Sequence, residues 1–174
     1  MIHLITGPPG AGKSTYSRRL AAETNSVIFS IDEWMGRLYG PDMPVPIELN
    51  WVITRVQRCE ELIWLTAVDV VRSGGNVILD IGAIKAQQRL RYRSLALELG
   101  LDFELHYLTA DADLRLSRVL TRNIDQGDTF SFEITPQMFH YMNTAFEAPG
   151  PCEDLKLIKT DCDLVVHVNS ASCE

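Results

Sequence analysis

The chain has 174 residues, a formal net charge of −7, and 46% hydrophobic and 22% charged residues. These are the proportions of a globular domain, and the length predicts a single domain, 1–174, with a core of ordinary size. The acidic balance speaks against a long nucleic-acid footprint, which draws its affinity from a basic face. No apolar run approaches the ~18 residues of a membrane span.

In chain order, Ile2–Thr6 reads as a buried strand directly after Met1, with no basic and apolar leader before it, so a cytoplasmic protein is expected. Lys13 to Ala22 reads as a helix, Val27–Ile31 as a second strand, and a short helix follows Asp32. Residues 40–46 hold three prolines and must be irregular. From about Ile47 to Arg72, apolar residues recur at three- and four-residue spacing, which predicts a long helix with one buried face. Asn76–Asp80 is the third strand. Gln87 to Leu99 is a helix closed by Gly100, and Phe103–Leu108 is the fourth strand. Ala112 to Arg122 is helical and 123–135 is irregular. Pro136 to Phe146 is a helix with Thr135 as N-cap, and Leu164–Val168 is the fifth strand. Apolar strands alternating with helices predict an α/β sandwich around a mostly parallel sheet. Ligands of such sheets lie at the carboxyl ends of the strands, where Gly7, Asp32 and Asp80 fall. The cysteines at 59, 152, 162 and 173 show no metal-ligand spacing and read as reduced thiols. His106, His140 and His167 also lack such spacing, so packing or surface roles are expected.

Gly7-Pro8-Pro9-Gly10-Ala11-Gly12-Lys13-Ser14-Thr15 matches G-x-x-x-x-G-K-[ST] in full. Its glycines let several backbone N–H groups converge on one anion, and the helix starting near Lys13 points its positive end there. Lys13 supplies a charge for the β- and γ-phosphates, and Ser14 a hydroxyl for Mg²⁺; Thr15 reads as a packing residue at the edge of the motif. The preceding strand and following helix are the context the motif requires. It specifies nucleotide binding without naming the reaction. No N-K-x-D base-recognition motif is present, which leans towards ATP with Mg²⁺ over GTP.

Other residues bear on the reaction. Asp32, at a strand end beside the loop, is either a general base for an attacking hydroxyl or a helix cap. Asp80 is either a metal-holding carboxylate or a loop anchor. Arg115, Arg118 and Arg122 share one helix face, suited to phosphate oxygens or, alternatively, solvated and paired with Asp111 and Asp113; Arg118 and Arg122 are the better candidates. Lys85, Arg89, Arg91 and Arg93 could read an anionic acceptor, but a solvated helix face is the preferred reading. Trp34, Met35 and Tyr39 either line an acceptor pocket or pack into the core.

The phrase GPPGAGKST, with Ser30-Ile31-Asp32, Val77-Ile78-Leu79-Asp80 and Arg118-Val-Leu-Thr-Arg122-Asn123, resembles the small P-loop kinases. The group includes polynucleotide 5′-hydroxyl kinases, zeta-toxin-type sugar-nucleotide kinases and chloramphenicol phosphotransferase. The likeness spans Met1 to about Asn123; residues 128–154 depart from it. The resemblance implies a three-layer P-loop fold with a five-stranded parallel sheet of order 2-3-1-4-5 and helices on both faces. It implies Asp32 as general base, Arg118 near the adenine, Arg122 near the transferred phosphate, and a lid or acceptor-side segment around 115–150. The expected activity is ATP-dependent transfer of the γ-phosphoryl group to a hydroxyl of a small molecule (a nucleoside, a sugar nucleotide or an antibiotic-like compound). An ATP-hydrolysing switch and a polynucleotide 5′-hydroxyl kinase are the alternatives.

Overall fold

A parallel strand covered on both faces needs apolar residues at consecutive positions, and Ile2–Thr6 is buried at all five. In the computed structural model, which describes residues 1–127, 133–150, 153–161 and 164–168, this strand (β1) lies inside a six-stranded sheet. The order is β2 (Ser26–Ser30), β3 (Asn76–Asp80), β1, β4 (Phe103–Thr109), β5 (Leu155–Lys159) and β6 (Leu164–Val168). The first five strands are parallel, with Ile2 opposite Val77 on one side and Phe103 on the other. The expected order 2-3-1-4-5 is therefore present, but its fifth strand is a different segment. Leu155–Lys159 takes that place, and Leu164–Val168 runs antiparallel outside it. In LKLIK two lysines, Lys156 and Lys159, interrupt the apolar residues, so the segment lacks the continuous apolar run of a strand covered on both faces.

Helices cover both faces. On one, Tyr16 and Leu20 of α1 (Lys13–Thr24) pack against Ile5, Ile78, Leu108 and Ile158. On the other, Ile63 and Ala67 of α3 (Leu49–Arg72) and Tyr92 and Ala96 of α4 (Ala86–Glu98) pack against Ile2, Leu4, Val77 and Leu79. The period-two alternation of β1 thus feeds two separate cores. Gly100 follows α4 at φ +65°, and the Leu101 N–H donates to the Ala96 carbonyl at 2.9 Å, closing the helix as expected. The proline-rich segment forms a short 3₁₀ turn, Gly40–Asp42, ahead of a cis Val45–Pro46 bond. Between β2 and that turn lies α2 (Ile31–Tyr39), capped by Ser30, whose Oγ accepts from the Glu33 N–H. Asp32 is therefore in the first turn and is not the cap. Trp34, Met35 and Tyr39 lie against the sheet core, in keeping with the packing alternative. α5 (Ala112–Asp125) runs three residues past Arg122, into the stretch expected to be irregular. It is followed by α6 (Pro136–Ala145), capped by Thr135. Cys59 is buried and unpaired. Cys152, Cys162, Cys173 and the stretch 128–132 lie outside the described residues. Among the described residues no helix is long and apolar enough to cross a membrane.

Arg89 and Arg93 depart from the solvated role expected of the basic run, whereas Lys85 and Arg91 are exposed as that reading expects. Arg89 is only 1% exposed and forks onto Glu153, Nε to Oε2 at 2.8 Å and Nη2 to Oε1 at 2.9 Å. Its Nη1 donates to the Glu147 carbonyl at 2.8 Å. Glu147 itself accepts from Lys85 Nζ and from the Ala86 N–H, at the positive end of α4. Arg93 bonds Asp154. These cations moor the chain between α6 and β5 to the sheet. Burial alone would raise the Glu153 pKa, but the bonds from Arg89 and the Gly150 N–H outweigh it and hold the group below its ordinary value. Its stabilising effect is accordingly present at neutral pH and lost as pH falls through the folded-state pKa. Glu153→Ala leaves Arg89 charged, buried and unpaired, and urea unfolding at pH 7 should show a loss of about 3 kcal/mol. The gap between parent and variant should narrow at acid pH.

Candidate nucleotide and acceptor site

β1 ends at Thr6, whose hydroxyl donates to the Ala83 carbonyl at 2.8 Å and ties the strand end to the loop after β3. The chain then turns through 7–12 in a space that admits no side chains at two glycines. A Cβ at Gly7 would lie 2.4 Å from the Leu108 carbonyl oxygen, and one at Gly10 (φ +76°) would lie 2.3 Å from that of Arg115. The loop is thus wedged between the end of β4 and the start of α5. Ala11 is fully buried beneath it. Gly12, in the left-handed region, starts α1, whose first N–H groups have no partner within the helix.

The three α5 arginines do three different things. Arg115 does not face an anion. It is buried, donating from Nε to the Ala110 carbonyl at 3.0 Å and from Nη1 to the Pro9 carbonyl at 3.2 Å, with its guanidinium over the Phe139 ring. It braces the loop from behind. Arg118 forks onto Thr160, Nη1 to Oγ1 at 2.8 Å and Nη2 to the carbonyl at 2.9 Å, while Thr160 Oγ1 donates to the Ala11 carbonyl at 3.1 Å. Arg122 lines the cavity, and its Nε has no hydrogen-bond partner among the described residues.

The cavity holds about 860 Å³. Gly7, Pro8, Pro9, Gly10, Gly12, Lys13, Ser14 and Thr15 line it, together with Asp32, Asp80, Arg118 and Arg122. Of the phosphate-loop residues 7–15, Ala11 is the one that does not reach its surface, and Arg115, Trp34, Met35 and Tyr39 do not line it either. Lys13 Nζ donates to the Gly7 and Pro8 carbonyls at 2.9 and 3.1 Å. Burial lowers the Lys13 pKa, and the carboxylates of Asp80 and Asp32 oppose the shift. Burial raises Asp32, against the pull of Lys13 and Arg122. It also raises Asp80, against Lys13 and a Ser14 hydrogen bond, while the Asp32 charge adds to the rise. Asp32, Asp80, Lys13 and Arg122 thus act on one another's charge in one partly dry chamber, a pattern typical of reactive sites. The Ser14 hydroxyl lies 3.5 Å from Asp80 Oδ2. A hydroxyl and a carboxylate on the same wall are hard oxygen donors of the kind magnesium takes, so these residues fit that ion.

The far wall is apolar: Ile84, Val119, Ile134, Tyr141, Met142 and Phe146. Phe146 stacks on Tyr107 with centroids 5.9 Å apart, and Val119, Ile134 and Phe139 form a small core of their own. Neither these side chains nor Thr160 was singled out individually from the sequence, although Val119, Ile134, Tyr141, Met142 and Phe146 fall within the expected lid or acceptor-side segment 115–150. The cap at Thr135 marks where α6 begins, but nothing local places that helix over the strand ends.

A family model described as an AAA domain matches residues 2–149. No curated protein matches the chain. Among solved structures, Kti12 of Chaetomium thermophilum in complex with ADP-AlF3 aligns at 15% identity, covering 92% of this chain and 90% of that one, with TM-score 0.69. A kinase-designated protein of Chloroflexus aurantiacus aligns at 17% identity, over 91% and 85%, with TM-score 0.68. The Mycobacterium tuberculosis APS kinase CysC, in complex with AMPPNP and APS, aligns at 18% identity, over 92% and 88%, with TM-score 0.58. At these identities the likeness is one of fold, the fold of small P-loop kinases.

Because a Cβ at Gly10 collides with backbone, Gly10→Ala should displace the loop while leaving the sheet intact. Titration calorimetry with MgATP should show affinity weakened by about 10- to 100-fold, the equivalent of about 1–3 kcal/mol of overpacking, with an unchanged far-ultraviolet spectrum.

Proposed function

The chain belongs to the AAA domain family, and from that premise we propose that it is an ATP-dependent kinase moving the γ-phosphoryl group to a hydroxyl of a small molecule. The observation that carries this reading is that Asp32 and Arg122 open into the same cavity as the phosphate loop, each acting on the other's charge. A loop alone grips a nucleotide. A base and a cation facing it supply what phosphoryl transfer needs besides.

In this mechanism the backbone of 7–14 and the Lys13 ammonium bind the triphosphate. Ser14 and Asp80 would hold a magnesium ion, which would neutralise phosphate charge. Arg118, fixed by Thr160, flanks the nucleotide side. Asp32 accepts the proton as the acceptor oxygen bonds to the γ-phosphorus and the bond to the ADP oxygen breaks. Arg122 neutralises charge on the moving group, a role that contributes ~10³-fold or more in rate. Its guanidinium is half-desolvated, which strengthens such an interaction. Val119, Ile134, Tyr141, Met142 and Phe146 serve as the acceptor-side wall, and their apolar and aromatic surface favours a nucleoside or drug-like alcohol over a sugar nucleotide. The net charge of −7 disfavours a polynucleotide end as acceptor.

A second reading, an ATP-hydrolysing switch that controls a partner, draws on one observation. Leu38, Val45, Ile47, Leu49 and Ile53 are exposed along one stretch, Val45 at 96%. That reading expects phosphate release without a phosphorylated product.

Asp32→Asn should lower turnover of the best acceptor from a hydroxyl library by about 10²- to 10⁴-fold while leaving nucleotide affinity within a few-fold. Unchanged turnover would remove Asp32 from the chemistry. Since burial raises the Asp32 pKa above its usual 3.8, kcat/KM should fall on the acid side at a pH above that value, and Asp32→Asn should abolish that limb. Arg122→Ala should cost about 10³-fold in kcat, measured by coupled ADP release.

A further inference from the structure

Behind α1, on the sheet face opposite α3, three potential ligands converge that sequence spacing does not connect. His3 lies on β1, and Glu104 and His106 on β4, where Leu4 pairs with Leu105. His3 Nδ1 is 3.0 Å from His106 Nε2, His106 Nε2 is 2.8 Å from Glu104 Oε2, and His3 Nδ1 is 3.4 Å from the same oxygen. His3 is 4% exposed and His106 is fully buried, while the Glu104 side chain is 32% exposed and forms the rim.

The other nitrogen of His106 is already engaged. Nδ1 lies 2.8 Å from the Tyr16 hydroxyl on α1, so Nε2 is the atom turned towards the triangle. A proton between any two of the three ligand atoms leaves the third contact unmediated. One cation satisfies all three: a triangle of these sides has a point about 2 Å from each corner, the length of zinc–nitrogen and zinc–oxygen bonds. Two imidazoles and a carboxylate, with the remaining coordination position towards the rim, suit zinc and its neighbours rather than magnesium. Tyr16 is the outer-shell partner that fixes the ring of a ligating histidine. The Met1 amino group acts on His3, and Lys156, paired with His106 across β5, acts on both rings. Glu104 is the charge that offsets them.

We propose that His3, Glu104 and His106 form a binding site for a zinc-class divalent cation, separate from the magnesium position at Ser14 and Asp80. Occupancy cross-links β1 to β4. Through Tyr16 it also braces α1, whose first turn carries Lys13.

The test uses the full chain stripped of metal by a chelator and titrated with Zn²⁺ by calorimetry and with Co²⁺ by absorption. The expected result is one equivalent bound, four-coordinate Co²⁺ bands without a thiolate charge-transfer band, and a rise in Tm with Zn²⁺. Glu104→Gln, a change at the half-exposed rim that keeps the side chain's shape, should weaken binding about tenfold or more and abolish the rise in Tm. Asp80→Asn should leave the Co²⁺ spectrum in place. The absence of binding overturns the proposal and leaves a buried hydrogen-bond network. So does a thiolate band, which would place the ion on cysteine, or a Glu104→Gln affinity equal to the parent's.

Discussion

The phosphate loop does not hold its shape alone, because its three glycines carry little conformational preference of their own. What fixes it is the seam with α5. Arg115 enters from behind and bonds the Pro9 carbonyl, its own carbonyl closes over Gly10, and Leu108 closes over Gly7. Arg118 and Thr160 add a second brace at Ala11. The loop backbone is therefore held in place by its own protein neighbours, and a backbone fixed in advance is the condition for electrostatic binding at no reorganisation cost. The remainder of the site is arranged around that fixed cradle: Asp32 and Asp80 at neighbouring strand ends, Arg122 two turns along the helix that carries Arg115.

Much of this was legible in the sequence where local pattern and tertiary role coincide. The loop motif, the apolar strands β1 to β4, and the acids at strand ends each follow from the chain's immediate neighbourhood. The residues that escaped are those whose partners are far away in sequence. Arg89 reads as a surface cation on α4 until Glu153 arrives to bury it. Arg115 has the same spacing as Arg118 and Arg122, yet its direction on the helix turns it into the protein. β5 escaped because its lysines break the apolar run, and β6 took its expected place because it preserves one. His3 and His106 are 103 positions apart, and only the parallel pairing of β1 with β4 brings them together.

The two large cores lie on opposite faces of the sheet. The face under α1 carries the loop helix and the buried Tyr16–His106–His3 chain. The face under α3 and α4 holds the larger apolar core, with the buried Arg89–Glu153 ion pair at α4. Each side of the sheet thus combines apolar packing with buried polar groups that pair with one another.

The wall formed by α6 is tied down at both ends. Asn123 bonds the backbone of Ile134 in both directions before the helix, and Glu147 and Arg89 fasten the chain after it. The depth of the chamber is thus set by anchors that do not touch whatever it holds. Side chains at Tyr141, Met142 and Phe146 can vary between such tethers without disturbing the phosphate cradle opposite. A scaffold of this kind can change its choice of guest by repainting one panel while the frame stays put.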